Sequence, residues 1–144
     1  MAGATRSIEI EAPINLVYDV IVDYERYPEF LADMETVSLV RQEGETIEAA
    51  FTLNLIKRIT YTLELVGERP HKVRWSLTAS KLFQSNDGGW DLEEIDEART
   101  RATYSIDVGF GLAVPKAISS RLIGSSLPAT LEAFKQRSES MVAQ

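Results

Sequence analysis

Apolar and polar positions along the 144-residue chain change period twice, and those changes mark out the elements. Ser7-Ile8-Glu9-Ile10-Glu11 alternates polar and apolar residues, the pattern of a strand with one buried face. Ala12-Pro13 punctuates it, and Pro13 suits the first turn of a helix, where its missing N–H would be unpaired anyway. Leu16, Val17, Val20 and Ile21 then recur at helical spacing, predicting a helix of about ten residues that ends near Asp23. Asp23 can cap a second, shorter helical segment, which Tyr27-Pro28 interrupts before Phe30 and Leu31.

From Thr36 to Val108 the period becomes two. Val37 and Leu39 alternate with Thr36 and Ser38, and Gln42-Glu43-Gly44-Glu45 makes a turn. Ile47, Ala49, Phe51, Leu53 and Leu55 share one strand face; Ile59, Tyr61, Leu63 and Leu65 share the next, ended by Gly67-Glu68-Arg69-Pro70. Val73, Trp75, Leu77 and Ala79 form a third, followed by strands over Leu82 to Ile95 and Arg101 to Val108. Short spacers and strict alternation predict an antiparallel meander with one wet face. Asn86-Asp87-Gly88-Gly89 reads as a strand irregularity, its glycines permitting a bulge.

Beyond Pro115 the composition is helical from Lys116 to about Ser140. Ile118, Leu122 and Ile123 centre on one direction, while Leu127, Leu131, Phe134 and Met141 centre roughly a third of a turn away. Gly124-Ser125-Ser126-Leu127-Pro128 lies between the two groups, and Pro128 cannot donate to the carbonyl four residues earlier. A kink or break is expected there. It either fits the helix to a curved sheet or frees the Gly124 carbonyl, with the Ser125 and Ser126 hydroxyls, as a polar spot. A sheet with one apolar face must bury it, and this helix is the large candidate partner. The expectation is one α+β domain spanning residues 1–144, with no linker or internal repeat.

These elements carry a family resemblance. The run Val20 to Leu31 contains Asp23, Tyr27-Pro28, Phe30 and Leu31, and resembles the D-x-x-x-Y-P-x-F-L signature of the polyketide cyclase/dehydrase and coenzyme Q-binding branch of the START-like (SRPBCC) superfamily. Gly89-Trp90-Asp91-Leu92 resembles that branch's aromatic strand, and Ser105 to Phe110 its last strand. The resemblance implies a helix-grip fold: a curved antiparallel sheet wrapped around a long C-terminal helix, with two short helices after the first strand. It further implies a hydrophobic cavity between sheet and helix that takes lipids, quinones or polyketide intermediates. Fold alone does not choose among them.

With that cavity expected, inward positions become candidate ligand contacts. From the sheet these are Phe51, Leu53, Tyr61, Trp75 and Leu77, then Trp90, Leu92, Tyr104 and Ile106. Each reads equally as plain core. Tyr61, Trp75, Trp90 and Tyr104 would add polar handles to aromatic surface, which suits an apolar ligand bearing one or two hydrogen-bonding oxygens. Tyr27 joins them from the Tyr24, Tyr27, Pro28, Phe30 and Leu31 cluster, which reads either as a gate at the cavity mouth or as a hydrophobic staple for the short helix. Leu127 and Leu131 are the candidates from the C-terminal helix, with Arg121 kept, of Arg58, Arg74 and Arg121, as a possible oxyanion or carbonyl partner.

Composition narrows the chemistry. There is no cysteine, so disulfides, thiolate nucleophiles and cysteine metal sites are excluded, and one histidine, His71, leaves no multi-histidine metal centre. His71 follows Pro70 in an apparent turn, without a serine or aspartate motif beside it. Glu43, Glu45, Glu93, Glu94, Asp96 and Glu97 read as wet turn residues, and Arg58 and Arg74 fall opposite the apolar face. Gly109-Phe110-Gly111 lacks the third glycine of a dinucleotide fingerprint. No catalytic residue, metal ligand or cofactor is therefore assigned. A net charge of −7 argues against a nucleic-acid partner. No apolar run is long enough to span a bilayer and no signal core is present, so the expectation is a cytoplasmic protein. Binding or transport of a hydrophobic small molecule is the leading expectation, and the oligomeric state is left open. A polyketide aromatase/cyclase or dehydratase is the alternative, since such enzymes act largely by shaping a bound chain. A ribosome-associated toxin-type interaction protein comes third.

Overall fold

A computed structural model describes residues 2–54, 58–80, 83–110, 116 and 126–142. Seven strands form one antiparallel sheet in the order β1-β7-β6-β5-β4-β3-β2. β1 (Ala2–Ile10) is followed by helix α1 (Ile14–Val22) and a short 3₁₀ helix (Tyr24–Glu29). The meander β2 (Met34–Glu43), β3 (Thr46–Asn54), β4 (Arg58–Glu68), β5 (Lys72–Ser80), β6 (Phe83–Asp96) and β7 (Arg99–Phe110) then leads to helix α2 (Ser126–Val142). This is the expected α+β helix-grip arrangement, a curved sheet holding the C-terminal helix. α2 packs on α1 and β1, and α1 on β6 and β7.

Alternation predicts burial best in the middle of the sheet. Ile47, Ala49, Phe51 and Leu53 on β3, and Ile59, Tyr61, Leu63 and Leu65 on β4, are all buried. The opposite face carries ion pairs, including Arg41 with Glu48 and Glu64, Arg101 with Glu9 and Glu93, and Arg74 with Asp91. Exposed pairs of this kind add about 0–1 kcal/mol each, so they keep that face wet more than they stabilise it.

Several local expectations change. β1 begins at Ala2, well before the alternating segment, because residues 2–6 pair with Val108 to Tyr104 through the backbone ladder, helped by a Thr5–Ser105 hydroxyl contact. Ala79 points outward: register shifts by one residue between Leu63↔Leu77 and Thr62↔Ala79, leaving Thr78 as the extra residue and reversing the strand's facing beyond it. Thr78 closes that bulge by donating from its hydroxyl to the Thr62 carbonyl, 3.1 Å away. Leu39 is exposed because β2 is an edge strand with its own register shift between Leu39 and Arg41.

No bulge forms at Asn86 to Gly89, where pairing with β7 is continuous; the shifts lie between Phe83 and Ser85 and between Glu94 and Asp96. The glycines serve close approach instead. A Cβ on Gly88 would stand 2.4 Å from the Ser105 carbonyl oxygen and 2.7 Å from Cζ2 of Trp75.

In the helices, Asp23 precedes the 3₁₀ helix but makes no capping bond with its side chain, which pairs with Arg26. Pro28 lies inside the 3₁₀ helix and does not interrupt it. On α2 the buried stripe is Leu127, Leu131, Phe134 and Ser138, at helical spacing, while Met141 is 37% exposed. The expected break at Gly124 to Pro128 falls largely on residues 124 and 125, outside the described residues, as do Ile118, Leu122 and Ile123.

Candidate functional site

The core is solid at one end and hollow at the other. Where α1 covers β6 and β7, Ile10, Ala12, Val17, Tyr18 and Ala102 pack with at most 1% exposure. Toward the other end a cavity of about 260 Å³ lies between sheet and helix. That is close to the lower end of small-molecule sites, which run from about 300 to 1,000 Å³.

Each wall follows from strand or helix periodicity. β3 and β4 supply Phe51, Leu53, Tyr61, Leu63 and Leu65; β5, β6 and β7 supply Trp75, Phe83, Asn86, Trp90, Tyr104 and Ile106. The 3₁₀ helix and the turn after it contribute Tyr24, Tyr27, Phe30 and Leu31. α2 closes the space with Leu127, Thr130, Ala133 and Phe134. The Phe134 ring meets Tyr27, Phe30 and Trp90 edge-to-face, at centroid distances of 5.3, 5.2 and 5.0 Å. Phe51 stacks on Tyr61 at 5.4 Å, and Trp75 and Trp90 flank Tyr104 at 5.5 and 5.0 Å. Among the lining residues, the exposed ones are Ala32, after the 3₁₀ helix, and Ala129, in the first turn of α2. They form the rim.

Polar atoms in this apolar space fall into two groups. Some are already engaged: the Tyr27 hydroxyl donates to the Ile21 carbonyl, one of the acceptors left free at the end of α1, and pins the 3₁₀ helix to it. Trp75 Nε1 donates to Asn86 Oδ1 at 3.1 Å. The hydroxyls of Tyr24, Tyr61 and Tyr104 make no hydrogen bond among the described residues. Burial pushes all three phenols well above their usual range; Tyr24 is pushed further by Tyr18 and Tyr61 by Tyr104. They stay protonated and able to donate. The one charged residue among the lining is Asp33, beside Ala32 at the rim. Among the described residues no group of His, Asp and Glu converges to hold a metal ion. No helix among them is long and apolar enough to cross a membrane.

Of the sequence-derived candidates, Tyr27, Phe51, Leu53, Tyr61, Trp75, Trp90, Tyr104, Ile106 and Leu127 meet around this cavity. Three do not. Leu92 shares the Trp90 face of β6 but lies two residues further along, in the packed core. Leu131 is buried in that core too, and α2 presents Leu127, Thr130 and Phe134 to the cavity instead. Leu77 is half-buried beside the β5 bulge, which bends the strand locally. Arg121 lies outside the described residues. Asn86, Phe83, Tyr24 and Phe134 were not singled out as ligand contacts. For Asn86 the available signal was its parity with Gly88 and Trp90, which puts a carboxamide on an otherwise inward face.

Similarity to known proteins agrees with this geometry. Residues 1–139 match the family model described as polyketide cyclase/dehydrase and lipid transport. A START superfamily protein from Mycobacterium smegmatis superposes with a TM-score of 0.85 at 14% identity, covering 96% of this chain and 98% of that one. The Zhui aromatase/cyclase from a Streptomyces species gives 0.86 at 15% identity, over 98% and 95%. A STAR-related lipid transfer protein from Xanthomonas axonopodis gives 0.81 at 14%, over 94% and 85%. At such identities these likenesses are of fold. No curated protein matches the chain significantly. By its family match and its helix-grip fold, the chain belongs to the START-like polyketide cyclase/dehydrase and lipid transport family.

Proposed function

We propose that this protein binds and carries a neutral hydrophobic small molecule, such as a lipid, quinone or polyketide-like compound, in the cavity beneath α2. The observation that carries this reading is the pairing of an aromatic lining, whose one charged residue Asp33 sits at the rim, with the unpartnered hydroxyls of Tyr24, Tyr61 and Tyr104. Apolar walls favour an apolar ligand through burial, at roughly 25 cal/mol per Å² removed from water. These hydroxyls open onto the cavity, where a ligand oxygen can accept from them for a net gain of about 0.5–1.5 kcal/mol each. A charged headgroup would find no counter-ion in that interior among the described residues and would have to stay at the rim.

Carriage is favoured over catalysis by the same lining. Acid–base chemistry near neutral pH needs a group that titrates there, and phenols pushed up by burial are poor bases and weak acids. The test is native mass spectrometry of the purified protein, followed by organic extraction. A non-covalent adduct of a neutral apolar molecule, released unchanged, is expected. A protein that arrives empty and leaves tryptophan fluorescence unquenched by a long-chain alcohol, a menaquinone and a tricyclic polyketide overturns the proposal. Loss of water from a bound linear polyketide at an enzymatic rate would favour the cyclase alternative instead.

A further inference from the structure

We infer that Asn86 is a specificity-determining contact whose side-chain N–H groups bind a carbonyl oxygen of the ligand. The inference deepens the proposed function and rests on it. The argument begins at Gly88. It pairs directly with Trp75 across β5 and β6, and a Cβ there would come within 2.7 Å of the indole. Only glycine lets the Trp75 ring lie across the strand at that point. So placed, its Nε1 reaches Asn86, two residues back on the same face, at 3.1 Å.

An indole N–H can only donate, so the amide atom facing Trp75 is the oxygen. The other end of the carboxamide is therefore Nδ2, with two donors and no partner among the described residues. Asn86 is 5% exposed and lines the cavity. Buried amide donors without acceptors are costly and are normally satisfied. A water could satisfy them weakly; a ligand carbonyl held beside the Trp75 and Tyr104 rings does so without leaving water in an apolar space. Trp75 thus acts as the positioning residue, and Asn86 makes the contact. Tyrosine hydroxyls elsewhere in the cavity can donate or accept, and so cannot separate a ketone from an alcohol. A carboxamide locked by an indole offers only donors at its free end, and so favours a ligand with an acceptor oxygen at that point over one without.

The experiment uses 9-fluorenone and fluorene, which differ by the carbonyl oxygen. Binding is followed by quenching of the chain's two tryptophans, both of which line the cavity. In the wild type, and in N86L and N86D, the measured quantity is the ratio of the two dissociation constants. Asn86→Leu removes the donors; Asn86→Asp, assayed at about pH 9 so that the buried carboxyl is ionised, keeps an oxygen facing Trp75 and replaces the amino group with an acceptor. In both variants the preference for the ketone, read as that ratio, is expected to fall about three- to tenfold. The C=O stretch of fluorenone bound to wild type should also lie at lower wavenumber than in a dry hydrocarbon solvent.

A ratio that changes by less than about twofold in a folded variant overturns the inference and leaves the carrier reading intact. So does a C=O stretch at the hydrocarbon value, a measurement that needs no variant. Failure of both probes to bind the wild type overturns the inference, while the carrier reading is decided separately by the co-purified adduct.

Discussion

Raising the pH should unfold this protein sharply, and its tyrosines set where. Four of the five tyrosines, Tyr24, Tyr27, Tyr61 and Tyr104, surround the cavity, and burial raises each phenol well above the usual value. In the unfolded chain a phenol ionises near pH 10. Between that pH and the higher folded-state values, the unfolded state releases protons that the folded state retains. The stabilisation is therefore complete below about pH 10 and is lost as pH rises above it. Each group removes up to ~1.4 kcal/mol per pH unit, so four remove about 5–6. A domain stable by roughly 5–15 kcal/mol then unfolds between about pH 11 and 12.5. Tyr18, pushed up to about 12 by burial and by its hydrogen bond to Glu45, acts in the same direction. The assay follows tyrosinate absorbance and near-ultraviolet circular dichroism across the alkaline range. Both signals should change together in one cooperative step, and Tyr61→Phe should make stability fall about a quarter less steeply above pH 10. Four tyrosines titrating smoothly near pH 10, while the circular dichroism stays native, would refute the buried arrangement.

Other perturbations test particular contacts. Phe134→Ala removes the ring that Tyr27, Phe30 and Trp90 meet edge-to-face, and should cost about 3 kcal/mol in urea unfolding, the low end for a buried phenylalanine because the cavity already leaves one side empty. A loss below about 1 kcal/mol would contradict that packing. Gly88→Ala drives a Cβ to 2.4 Å from the Ser105 carbonyl, so it should destabilise by about 1–3 kcal/mol and shift the tryptophan emission as Trp75 is displaced. Unchanged emission and melting temperature would contradict it. Ser138→Ala deletes a hydroxyl that is buried without a hydrogen bond, and should be neutral or stabilising by up to about 1 kcal/mol in thermal unfolding.

The fold was legible wherever burial on one side forced a clean period. β3 as far as Asn54 and β4 read correctly residue by residue because both sit inside the sheet, with one face on the core and one in water, while Leu55 lies outside the described residues. α1 read correctly to within a residue of its C-terminus for the same reason. The first half of β1 was invisible, since an edge strand of small and polar residues is held by ladder hydrogen bonds that leave no side-chain pattern. The Thr78 bulge was invisible too. One inserted residue costs nothing in local propensity, yet it reverses the facing of everything beyond it until the strand ends. Asn86 was read only as part of a strand irregularity because Gly-Gly in a strand is a local bulge signal, and nothing local reveals a tryptophan from the neighbouring strand lying across Gly88.

By itself the chain's sequence determined the order of elements, which strand faces are apolar, and the absence of cysteine and of a second histidine. These depend on neighbours one to four residues apart, whose spacing the covalent chain dictates. Whether the apolar faces meet in solid packing or around a space depends on how far α1 and α2 fill the curve of the sheet, a sum over residues distant in sequence. Tertiary structure alone placed Leu92 and Leu131 in the solid end and Trp90 and Phe134 against the hollow one, though each pair lies two or three residues apart. It also turned Asn86 from part of a bulge signal into an oriented donor, because the orientation is imposed by Trp75 across the sheet.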